Sequence, residues 1–133
     1  MKHVLVVEDD PHNAVVFRKL LEKRAGCRVT VTESVEDLMR YAAEGGIDLI
    51  LMDVSLANAR WHGRAVSGVD LCRMLREDVR CAGIPVVIAT AHAMRGDAER
   101  LLAESGASDY VAKPIVDHGA FVTRIRSLLE EAS

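Results

Sequence analysis

The chain has 133 residues, half of them hydrophobic and 28% charged, with a formal net charge of −3; that length buries one substantial core and falls short of two domains. Scattered acids and bases leave no broad basic surface, so nucleic acid is not expected as a direct partner. Apolar runs of about five residues rule out a membrane span, and MKHVLVVEDD reaches its acidic cluster without the apolar region of a secretory signal, so a cytoplasmic protein is expected.

The first apolar run is Val4 to Val7, rich in β-branched residues and read as a strand. Asp10 and Pro11 then suit the N-cap and first position of a helix, whose apolar face is Val16, Phe17, Leu20 and Leu21. Val29 to Thr32 alternates and predicts an edge strand, followed by helical spacing at Val35, Leu38, Met39 and Ala42. Leu49 to Met52 and Val86 to Ala89 are continuous apolar runs, as strands covered on both faces of a parallel sheet require. Between them Leu71, Cys72 and Leu75 mark a third helix, which is expected to begin near Val69. Leu101 and Leu102 mark a fourth, the short run Tyr110 to Ala112 a weaker fifth strand, and Phe121, Ile125, Leu128 and Leu129 a fifth helix. Gly26, Gly45, Gly83 and Gly106 follow the first four helical segments, where left-handed C-caps are wanted. Cys27, Cys72 and Cys81 form no CxxC pair and read as free thiols.

Strands and helices in strict alternation imply a doubly wound α/β fold: a parallel sheet with helices on both faces. Ligands of such sheets bind beyond the carboxyl ends of the strands. The residues there are Glu8, Asp9 and Asp10 after the first strand, Asp53 after the third, Thr90 after the fourth, and Lys113 with Pro114 after the fifth. Taken singly, each has an ordinary use: an acidic cluster caps a helix, a lone Asp makes a turn, a Thr favours a strand and a Lys is solvated. Taken together, they suit phosphoryl transfer. Adjacent carboxylates call for a cation, and Mg²⁺ prefers one or two carboxylates with water and a phosphate oxygen. Asp53 is then the nucleophile, Lys113 a point charge for a phosphate oxygen and Thr90 a hydroxyl donor.

The motifs VLVVEDD at Val4 to Asp10, LILMD at Leu49 to Asp53, VVIATA at Val86 to Ala91 and GASDYVAKP at Gly106 to Pro114 together resemble the receiver domain of two-component response regulators, over nearly the whole chain. The resemblance implies a flavodoxin-like five-stranded sheet of order 2-1-3-4-5. It implies Asp53 as phosphoacceptor and a Mg²⁺ ion held by Glu8, Asp9, Asp53 and the backbone carbonyl of Ser55. Thr90 and Tyr110 become the switch pair, and Lys113 binds the phosphoryl group ahead of a commonly cis bond to Pro114. Ser55 and His92 fall where the family tunes the lifetime of the phosphoryl group. The implied partners are a sensor histidine kinase or histidine phosphotransfer protein and a downstream protein reached through the fourth helix, fifth strand and fifth helix, with a homodimer left open. The chain is then not a conventional enzyme, although it would catalyse its own phosphorylation and dephosphorylation. With no output region after EEAS, signalling is expected to pass to another protein or along a phosphorelay.

The chain reads as one receiver domain over residues 1–133, with one departure from the family pattern. After Asp53 the sequence VSLANARWHGRAVSG contains no proline, and Gly68 fills the family's glycine position, leaving roughly seven extra residues within 56–67 at little entropic cost. The insertion carries Arg60, Trp61, His62 and Arg64 and no acid. It is either a tolerated surface loop or an element that contacts a phosphotransfer partner or lids the site. Two other functions are compatible with parts of the pattern. A haloacid-dehalogenase-like phosphohydrolase also joins an aspartyl nucleophile to Mg²⁺, but it carries DxD after its first strand, where this chain has adjacent acids. A receiver-like scaffold that no longer takes phosphate would not need the full polar set. A nucleotide cofactor is not expected, because the first turn lacks a Gly-rich phosphate cradle.

Overall fold

The computed structural model describes residues 1–54, 56, 59–91 and 97–131. Five strands form one parallel sheet: β1 (His3–Val7), β2 (Arg28–Thr32), β3 (Leu49–Asp53), β6 (Val86–Thr90) and β7 (Asp109–Ala112), in the order β2-β1-β3-β6-β7. The intervening β4 (Arg60–Trp61) and β5 (Arg64–Ala65) pair only with each other, antiparallel. Without that hairpin the order is the expected 2-1-3-4-5.

Alternation within the strands divides the core. Val4 and Val6 of β1 with Leu49 and Leu51 of β3 face one side, against Phe17, Leu21, Phe121 and Ile125. Leu5, Val7, Ile50 and Met52 face the other, against Leu38, Leu71, Cys72 and Leu75. The side-chain period of two explains why the central runs must be apolar throughout. Edge strand β2 is less covered than the central strands: Val29 is buried, Arg28 exposed and Thr30, Val31 and Thr32 partly exposed.

Helix α1 (Pro11–Lys19) begins where Asp10 accepts a hydrogen bond from the His12 amide, and it continues as a π-helical turn over Leu20–Arg24. Its Phe17 ring stacks on Phe121 of α5 (His118–Glu131) with centroids 6.0 Å apart, so these two helices share one face of the sheet. On the other face lie α2 (Val35–Glu44), capped by Ser34, and α3 (Gly68–Glu77). A reciprocal capping box between Ser67 and Asp70 fixes the start of α3, one residue before Val69. Helix α4 (Asp97–Ser105) packs beside α3.

Gly26 and Gly106 take the positive φ expected of them, 70° and 74°, whereas Gly45 combines a positive φ of 87° with an extended ψ of 171° and is not a left-handed helical cap. Gly83 departs from the expectation too. Helix α3 stops earlier, at Glu77, with Asp78 extended and its carboxylate accepting from the Arg80 amide, so Gly83 belongs to the following turn and closes no helix. The ends of the sheet opposite the polar cluster are tied by Arg76, which donates to the carbonyls of Ala82, Ile84 and Gly106 at 2.8, 2.7 and 2.9 Å. All three cysteines are free and buried. Among the described residues no helix is long and apolar enough to cross a membrane.

Candidate functional site

The parallel register brings the polar residues to one edge. Asp53 closes β3 opposite Ala89 of β6, and Thr90 is the next residue of β6, paired with Ala112 immediately before Lys113. Glu8 follows β1, its amide donating to the Thr32 carbonyl at 3.1 Å. Glu8, Asp53 and Thr90 are 4%, 3% and 1% exposed, an uncommon degree of burial for two carboxyl groups, which calls for charged partners.

Lys113 supplies one. Its ammonium lies 3.0 Å from Asp53 Oδ1 and 3.4 Å from Glu8 Oε1. Burial alone would lower its pKa, but its hydrogen bond to Asp53 and the charges of Asp53 and Glu8 outweigh that and raise it. The Lys113–Pro114 bond is cis, as the family resemblance implies.

Carboxylate oxygens of Glu8, Asp9 and Asp53 come within 4.8 Å of one another. Glu8 Oε1 accepts from the Asn13 amide at 3.0 Å as well as from Lys113, while Glu8 Oε2 is buried with no hydrogen-bond partner. The Glu8 pKa is pushed up to about 7. Burial is the main cause; the Asn13 hydrogen bond opposes it, the adjoining Asp53 carboxyl adds to it, and the Lys113 charge draws it back. An unsatisfied buried carboxylate oxygen within an all-oxygen donor set fits a hard divalent cation of the Mg²⁺ type.

Asn13 is a member that sequence reading missed. It lies one turn into α1, and the N-cap at Asp10 holds that turn over the end of β1. Gly68 is held close for a different reason: a Cβ there would clash with the Asp53 carbonyl oxygen and sit 2.7 Å from Val54 Cα. Helix α3 thus starts against the backbone of the aspartate itself, with the Gly68 amide donating to the Val54 carbonyl at 3.1 Å.

Tyr110 is half-buried on β7 opposite Ile88, so it shares a sheet face with Thr90 two residues further along. Its carbonyl accepts from Arg124 of α5 at 3.1 Å. Arg60, Trp61, His62 and Arg64 lie on the β4–β5 hairpin, where Trp61 packs with the α2/α3 core; the hairpin does not add side chains to the carboxylate cluster. Its root does adjoin the cluster, because Leu56 and Ala59 line a recess of about 220 Å³ with Asp9 and Glu33. Ser55 and His92 lie outside the described residues, as do Ala57 and Asn58 of the insertion.

Three carboxyl groups, a buried hydroxyl and an ammonium thus stand together at the carboxyl edge of a doubly wound parallel sheet, the edge at which such folds bind their ligands. The family model described as "Response regulator receiver domain" matches residues 4–126, and the chain belongs to that family. The polar-differentiation response regulator DivK of Brucella ovis is 37% identical over 131 residues, covering 98% of both chains. Among solved structures, the receiver domain of sensor histidine kinase PA1611 from Pseudomonas aeruginosa superposes with a TM-score of 0.80 at 29% identity, covering 97% of this chain and 98% of that one; it has a magnesium ion coordinated in its active-site cleft. The signal receiver domain of a histidine kinase from Syntrophus aciditrophicus gives 0.79 at 25% identity, covering 98% and 92%. The chain is therefore a response-regulator receiver of two-component, phosphorylation-dependent signalling, and not a conventional enzyme.

Proposed function

We propose that the chain is a single receiver domain that accepts a phosphoryl group from a phosphohistidine donor onto Asp53, in the cytoplasm, and passes the signal to a protein partner or along a phosphorelay. The observation that carries this reading is the junction at Lys113, whose ammonium bridges Asp53 and Glu8 beside an unsatisfied carboxylate oxygen. Glu8, Asp9 and Asp53 would hold Mg²⁺, as the Pseudomonas receiver holds a magnesium ion in its cleft. When bound, the ion supplies charge neutralisation for the incoming phosphoryl oxygens.

The chain's own residues do the positioning. A carboxylate oxygen of Asp53 attacks phosphorus in line; the P–N bond of the donor breaks and its electron pair stays on the imidazole. Burial of Asp53 limits the access of competing water. Lys113 then turns its ammonium from the carboxylate to a phosphoryl oxygen, and the Thr90 hydroxyl donates to another. Movement of Thr90 frees space on the sheet face that it shares with Tyr110, which couples the phosphoryl group to the α4–β7–α5 face, the contact for the downstream partner. Water attack on the acyl phosphate returns Asp53 to its free form, so the chain limits its own signal.

The test is intact mass after incubation with acetyl phosphate. Wild type with Mg²⁺ gains one acid-labile phosphoryl group, wild type with EDTA gains little, and Asp53→Asn gains none. Equal labelling of wild type and Asp53→Asn would remove the assignment.

A further inference from the structure

The β4–β5 hairpin takes no part in the chemistry at Asp53, yet it is built rather than loose. Arg60 and Trp61 pair with Ala65 and Arg64. The turn is His62 and Gly63, both left-handed at φ 52° and 79°, the pattern of a two-residue type I′ hairpin. Trp61 and Val66 anchor the hairpin on the α2/α3 core, and its root shares a recess with Asp9. The exit is pinned where the Gly68 amide meets the Val54 carbonyl. The hairpin is thus held beside the phosphorylation edge at both ends.

Between the hairpin and α3 runs a groove of about 310 Å³. Its apolar lining is Trp61, Val66 and Met74, all partly buried. Arg64 and Arg73 also line it; both are exposed, and neither pairs with a carboxylate among the described residues. Exposed Arg60 extends the positive charge along the hairpin, where it makes only a long 3.4 Å bond to the Gly63 carbonyl. Arginines beside a half-buried tryptophan are the usual makings of a protein-docking hot spot. Asp70 and Glu77 line the same groove, and their charges disfavour a polyphosphate chain, which offers nothing but anions. A peptide with carboxylates around an apolar residue matches both the cations and the apolar lining.

We propose that this groove docks the histidine-bearing phosphodonor itself, through a segment of that protein in which an apolar side chain fills the Trp61–Met74 gap and flanking carboxylates meet Arg64 and Arg73. The inference rests on the reading of Asp53 as phosphoacceptor and adds to it a recognition surface. The root of the hairpin adjoins the carboxylate cluster, so a donor whose phosphohistidine reaches Asp53 lies beside it. The groove raises the donor's encounter rate and selects among kinases without touching the reacting atoms.

The probe is the histidine kinase that, among purified kinases of the same organism, phosphorylates the wild-type chain fastest. In Arg64→Glu/Arg73→Glu, transfer from that phosphorylated kinase slows by roughly tenfold or more. Phosphorylation by acetyl phosphate stays at the wild-type rate, which shows that fold and acceptor are intact. Rising salt slows transfer to wild type and narrows the gap to the variant. Kinase transfer that is unchanged in the double variant overturns the proposal, and so does binding of a short DNA duplex that wild type shows and the variant lacks. Failure of acetyl phosphate to label wild type strikes instead at the reading of Asp53, and the docking surface falls with it.

Discussion

Raising the pH of the metal-free protein perturbs Glu8 more than any other described group at the site. Its carboxyl pKa is about 7 in the folded chain against 4.5 for an ordinary glutamate, with burial as the leading cause. Between those two values the folded state keeps a proton that the unfolded chain has already released, so stability falls as pH rises. The contribution is intact below about 4.5, is lost through the interval, and is gone above about 7. At about 1.4 kcal/mol per pH unit, the upper limit of the loss is about 3–4 kcal/mol. A divalent cation reverses the sign, because it binds the ionised carboxylate and competes with the proton. Urea unfolding in EDTA at about pH 5 and about pH 8 should show wild type losing about 2–3 kcal/mol more than Glu8→Gln. Added Mg²⁺ should restore wild type at the higher pH and do little at the lower. Parallel pH profiles for wild type and Glu8→Gln, or a Mg²⁺ effect independent of pH, would refute the reasoning.

Three further outcomes follow from neighbouring contacts. Lys113→Met removes the ammonium that competes for Asp53 and Glu8, so calorimetry should show tighter Mg²⁺ binding together with slower phosphorylation by acetyl phosphate. Gly68→Ala forces a methyl group against the Asp53 carbonyl and Val54 Cα; chemical denaturation should register a loss of about 1–3 kcal/mol, and phosphorylation should fall as the backbone of Asp53 shifts. Arg76→Ala leaves the Ala82, Ile84 and Gly106 carbonyls without their guanidinium donor and should cost about 2–3 kcal/mol, with the rate of labelling by acetyl phosphate unchanged, since the clamp lies at the opposite end of the sheet.

The strand pattern was legible because burial on both faces demands continuous apolar runs, and Leu49–Asp53 and Val86–Thr90 are fully buried. The edge position of β2 was legible for the complementary reason: only there does polarity alternate. The convergence of Glu8, Asp53, Thr90 and Lys113 followed from topology, since a parallel sheet puts every carboxyl end on one side. Contacts that depend on tertiary placement were not legible. Asn13 meets Glu8 only because Asp10 sets the angle of α1, and Arg76 binds backbone carbonyls, which leave no trace in residue identity. Gly83 misled because a glycine after an apolar helical face looks like a cap, whereas Asp78 had already ended α3 with its own carboxylate. The hairpin read as a loop because strands of two residues are too short to show a period. Its turn also places His62, rather than an Asn or Asp, at positive φ.

The central claim is that the phosphoryl group resides on Asp53. Borohydride reduction of the acetyl-phosphate-labelled protein, followed by peptide sequencing, converts an acyl phosphate to homoserine at the modified position and so reads the site directly. Homoserine at position 53, formed only when Mg²⁺ is supplied, is the predicted result. An unmodified Asp53 with the phosphoryl group on Asp9, on His62 or at any other residue would contradict it.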